Sequence, residues 1–227
     1  MMQTTPVRIW DLPTRLFHWL LVLGIGVAWL SAELGGNWIE WHERIGVFLL
    51  ALMLFRFVWG FMGSDTSRFS QFVASPGKVL QHWREMKVQQ GAAFHAGHNP
   101  LGGWMVLALL AVVLLQATSG LFATDDIATD GPLRGLVSGK LADILNNLHH
   151  LVFNVILLLA AVHILAVVFY RLFKQTNLIK AMVVGRADWP VGRPQPVGLA
   201  FSPAWRGLAL FGLIYACVYF GIRWLAG

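Results

Sequence analysis

The chain has 227 residues, 57% of them hydrophobic and only 12% charged, with a formal net charge of +6. Soluble domains usually carry about twice that charged fraction, and here the deficit falls in long uncharged apolar runs, the mark of bilayer-spanning helices. The basic residues flank those runs instead of forming one patch, which excludes a nucleic-acid binder, and the single cysteine, Cys217, excludes both an internal disulfide and a Cys-x-x-Cys-His attachment site.

In chain order, the first span is predicted over residues 16–32, with Arg8 and Arg15 ahead of it. It lacks a small-residue cleavage site and carries His18 near its start, so it reads as a mature helix and not a signal peptide. The second span, 41–61, encloses Arg56, which is costly in a bilayer and needs a reason. The stretch Pro76–Val88 then reads as amphipathic and suited to lying on a membrane surface. The third span, 101–122, opens with Asn99 as N-cap and Pro100 at the first helical position. Its Gln116, Thr118 and Ser119 are suited to hydrogen bonds between helices, and no chemistry is assigned to them. Segment 124–148 carries turn signals at Asp130-Gly131-Pro132 and Ser138-Gly139. Its Asp125, Asp126 and Asp130 suit either a docking face for a basic redox partner or a solvated loop. The fourth span is predicted over 149–170 and the fifth over 206–224; the charge-free part of the fifth, 207–222, falls short of the usual ~20 residues. Trp10, Trp19, Trp38, Trp41, Trp59 and Trp104 fall near span ends, as an interfacial aromatic belt requires.

Charge sets the expected orientation. With the N-terminus inside, the N-terminal tail and segments 63–100 and 171–206 hold 12 of the 17 Lys and Arg, against 4 on the opposite side, which also carries seven of the eleven acids. This bias predicts a multi-pass membrane protein with its N-terminus cytoplasmic and its C-terminus on the opposite side.

Five of the eight histidines lie in or at the edges of spans, where an ionisable side chain is by default a functional one. His149 and His163 are 14 residues apart on the fourth span. At about 100° per residue they return to within about 40° of one face, separated by about 21 Å along the axis. Each has a partner at its own depth: His18 matches His163 near the cytoplasmic side, and His42 matches His149 near the outer side. His150 points to a different face and is the fallback for His149. Two bis-histidine sites at two depths suit haem iron, whose two axial positions imidazole fills. They also divide the ~30 Å of hydrocarbon into short electron hops. Zinc is the competing ligation, and only Glu43 beside His42 offers it a further ligand. Gly24, Gly26, Gly46, Gly102, Gly103 and Gly120 suit close approach inside such a bundle. Arg56 lies 14 residues after His42, on roughly the same face and at the depth of His163. It suits a haem propionate or a quinone site, or else snorkels to the surface. Arg15 has the same two readings. His98 suits either proton relay to a quinone or the shaping of the third helix's start.

These residues fall in motifs. Trp41-His42-Glu43 leading through Phe55-Arg56 to Trp59-Gly60, Gly97-His98-Asn99-Pro100-Leu101-Gly102-Gly103-Trp104, and Leu148-His149-His150-Leu151 through to His163 resemble the bacterial cytochrome b561 family, which includes the b-type cytochrome subunits of nickel–iron hydrogenases. The resemblance covers roughly residues 7–185. It implies an all-α, integral membrane four-helix haem-binding bundle over 1–185 in the bacterial inner membrane, beyond which residues 186–227 form a linker and the additional fifth transmembrane helix read above, placing the C-terminus on the periplasmic side. It implies two non-covalent haem b groups held by His18, His42, His149 and His163. It further implies electron transfer between the membrane quinone pool and a periplasmic redox partner such as a c-type cytochrome. Some resembling members are single-subunit oxidoreductases instead, and the alternative for this chain is a single-subunit quinone-dependent oxidoreductase acting on a small periplasmic species such as superoxide.

Overall fold

The structure, a computed structural model, describes residues 3–88, 95–124 and 129–227. Among the described residues the structure is helical apart from one short ladder and an isolated antiparallel bridge between Thr124 and Asp130. Its helices are α1 (Leu12–Leu34), α2 (Ile39–Met62), α3 (Phe69–Phe72), α4 (Pro76–Val88), α5 (Pro100–Gly120), α6 (Gly139–Phe173), α7 (Leu178–Val184) and α8 (Ala204–Ala226). Among the described residues five helices, α1, α2, α5, α6 and α8, are long and apolar enough to cross a membrane. The chain divides into two compact units, one of Met1–Leu16, Val58–Ala108 and Leu159–Gly207, the other of Phe17–Phe57, Leu109–Leu158 and Leu208–Gly227.

The first unit is organised by local capping and one β-ladder. Strand β1 (Thr4–Arg8) pairs antiparallel with β2 (Arg186–Pro190), from Thr4 opposite Pro190 to Arg8 opposite Arg186. Beneath it Ile9, Trp10, Ala181 and Trp189 form a small buried core. Asn177 caps α7, its side chain accepting from Lys180 N at 3.0 Å. Gly185 ends that helix in the left-handed region (φ 79°) and its carbonyl accepts from the backbone N–H of Ile9 and Trp10. Arg15 donates to the Met182 and Val183 carbonyls at the end of α7, the place where a cation complements a helix terminus. That gives Arg15 a structural role.

Asp11 is fully buried at the start of α1. Its carboxylate accepts from Thr14 N at 2.7 Å, Trp59 Nε1 at 3.1 Å and Ser67 Oγ at 3.1 Å, and Thr14 and Ser67 share a hydrogen bond of 2.7 Å. A buried carboxyl survives only when hydrogen-bonded in this way. Burial corrects the reading of two tryptophans. Trp10 and Trp59 are 7% and 2% exposed, so they are core residues and not part of an interfacial belt, whereas Trp19, Trp38, Trp41 and Trp104 are exposed. Asn99 caps α5 as expected, accepting from Gly102 N at 2.7 Å, and its amide donates to the Tyr170 hydroxyl. The His98 ring packs against Trp10 and Phe72, each 4.8 Å away between centroids, which supports a shaping role at the start of α5.

In the second unit α1 and α2 approach closely at Gly24, where a Cβ would lie 2.6 Å from Leu49 Cδ2. Phe211 of α8 packs edge-on against Phe48 and Phe55 of α2, and Tyr215 and Tyr219 continue the aromatic row along α8. A Cβ added at Gly26 or Gly46 would meet nothing within 4 Å. Helix α6 starts ten residues earlier than the span read from hydropathy, within the segment taken as loop. Leu141, Ile144, Leu145 and Leu148 carry the helical apolar spacing there. Asp125 and Asp126 lie outside the described residues.

Candidate cofactor site

In the second unit, α2 presents His42 one turn from its start and α6 presents His149. Their ring centroids are 6.0 Å apart with planes at 83°. His42 Nδ1 meets the Ala28 carbonyl of α1 at 2.8 Å, and His149 Nδ1 meets the Gln116 carbonyl of α5 at 3.0 Å. A carbonyl only accepts, so each Nδ1 carries its proton and each Nε2 presents a lone pair. Metal-binding imidazoles are held in this way, the second ring nitrogen tied to a backbone oxygen.

Three residues of α5 build the cradle of His149. Ser119 Oγ lies 3.3 Å from His149 Nδ1 and donates to the Gln116 carbonyl. The Gln116 side-chain amide lies 3.1 Å from His149 Nε2. Gly120 leaves the space the ring fills, since a Cβ there would lie 2.8 Å from His149 Cε1. Gln116, Ser119 and Gly120 share one helix face at spacings of three and four residues. That grouping was the signal available in the sequence; polar residues in a span read first as helix–helix contacts.

The arrangement fits an iron held by two imidazoles. His42 and His149 would be the residues to hold it, since their rings are neighbours 6.0 Å apart and each keeps Nε2 as the ligating nitrogen while Nδ1 is tied to a carbonyl. Among the described residues no group of three or more His, Cys, Asp or Glu gathers to hold a metal ion, so the donor set suits haem and not tetrahedral zinc. His150 is exposed and 6.2 Å from His149 between centroids, which favours His149 as the inward member of the pair.

The other site residues are described singly. His18, on α1 in the second unit, is half-buried with its ring edge-on to Trp19 at 4.9 Å. His163, on α6, is half-buried and belongs to the first unit. Arg56 is only 2% exposed, its guanidinium 6.0 Å from the Phe17 ring. Such burial does not suit an arginine snorkelling to the surface; it suits one that meets an anion or acceptors inside the protein.

Comparison with known proteins gives one finding. The family described as Prokaryotic cytochrome b561 matches residues 9–185 of this chain. No curated protein and no solved structure gave a significant match.

Proposed function

The chain belongs to the prokaryotic cytochrome b561 family, membrane b-type cytochromes of electron transfer, and from that premise we propose that it carries two haems and moves electrons between membrane quinone and a periplasmic redox partner, such as a c-type cytochrome. The observation that carries the reading is the His42–His149 pair, two imidazoles 6.0 Å apart with each Nδ1 on a backbone carbonyl. When bound there, haem b supplies a one-electron couple at its iron.

The protein's own part is to hold and insulate. His42 and His149 would supply the ligating nitrogens, while the Ala28 and Gln116 carbonyls keep both rings in the ligating tautomer. The apolar helices exclude water and leave the group non-covalently bound. His18 and His163 are proposed as the ligands of the second haem, on the strength of the 14-residue spacing between His163 and His149. Arg56 is proposed to meet a haem propionate, since guanidinium matches a carboxylate. The distribution of Lys and Arg supports an inner-membrane protein with a cytoplasmic N-terminus.

Redox titration of the purified protein, combined with its haem content, tests this reading. The expected result is two b haems per chain that titrate at two potentials and are both reduced by quinol. One haem per chain, or haem that quinol does not reduce, contradicts it.

A further inference from the structure

Gln116 touches His149 twice. Its backbone carbonyl accepts a hydrogen bond from Nδ1–H at 3.0 Å, and its side-chain amide stands 3.1 Å from Nε2. With the proton fixed on Nδ1, Nε2 accepts and the amide N–H donates. The lone pair that receives this hydrogen bond is the one an iron would take. The other end of the same amide, Oε1, is buried with no hydrogen-bond partner among the described residues. The amide is therefore oriented by His149 Nε2 and not by any bond on its oxygen side.

We propose that Gln116 is a positioning residue of the His42–His149 site with two opposed actions. Its backbone carbonyl holds the His149 tautomer. Its side-chain amide is the alternative partner of Nε2 and takes that nitrogen whenever iron releases it. Iron and amide compete for one lone pair, so the side chain eases exchange of the cofactor while the ring stays aimed. The inference rests on the haem reading above. It differs from a merely supporting role in sign: a supporting side chain strengthens cofactor retention, whereas a competing one weakens it.

The test uses haem-loaded protein and its Gln116→Leu and Gln116→Met variants, which keep the backbone carbonyl and the bulk but remove the amide. Loss of haem from the His42–His149 site to excess apomyoglobin should slow about five-fold, the worth of one neutral hydrogen bond, with the low-spin spectrum unchanged. Loss at the wild-type rate or faster in both variants overturns the assignment, and failure of both to retain haem through purification counts as faster loss. Wild-type protein that shows no bis-histidine haem spectrum defeats the underlying haem reading instead, so the two failures are distinguishable.

Discussion

A methyl group added at Gly120 would meet His149 Cε1 at 2.8 Å and Nδ1 at 3.1 Å. The imidazole is held by the Gln116 carbonyl and has little freedom to yield. Gly120→Ala should therefore tilt the ring, break the Nδ1 bond and weaken haem retention about ten-fold or more, as loss of an outer-shell partner does. Haem content after prolonged dialysis checks this, and retention equal to wild type would show that the cradle is not selective. At this scale the sequence was legible in part. The spacing of His149 and His163 and the depth of His42 singled out candidate ligands because helical geometry is periodic, and the structure brings two of these rings, His42 and His149, together. The cradle was not legible, because a glutamine, a serine and a glycine in an apolar span look the same whether they face a ring or another helix. Arg56 was open between two readings, and its burial, a property of the fold, speaks against the snorkelling one.

Elements end where their caps are, and hydropathy does not see caps. Helix α1 starts four residues before its apolar run because Asp11 caps it and Pro13 suits a first turn. Helix α6 extends beyond the bilayer-length run because its first ten residues are amphipathic, and hydropathy averages that periodicity away. The β1–β2 ladder joins residues far apart in sequence through short strands containing Pro6 and Pro190, and strand propensity gives no warning of such a pairing. The corner that holds this ladder turns on Gly185. Its φ of 79° is one that a β-carbon disfavours, and a Cβ there would also lie 2.9 Å from the Trp10 carbonyl. Gly185→Ala should lower stability by about 2 kcal/mol, read as a fall in the thermal midpoint of the detergent-solubilised protein. An unchanged midpoint would mean that the corner is not under this constraint. The Asp11 network stands beside it as a second device of the same unit, tying the start of α1 to Trp59 and Ser67.

Across the molecule, family membership and five apolar helices describe a multi-pass membrane cytochrome. One haem level is supported by a pair of rings seen together, His42 and His149. A second level, on His18 and His163, is proposed because a single centre cannot carry electrons across ~30 Å of hydrocarbon. The central claim is that the first pair grips iron. The most direct measurement is the EPR spectrum of oxidised protein from haem-replete cells, recorded for wild type, His149→Ala and His150→Ala. Wild type should show low-spin bis-imidazole iron; His149→Ala should lose one low-spin component, while His150→Ala keeps it. An unchanged set of low-spin signals in His149→Ala would contradict the account.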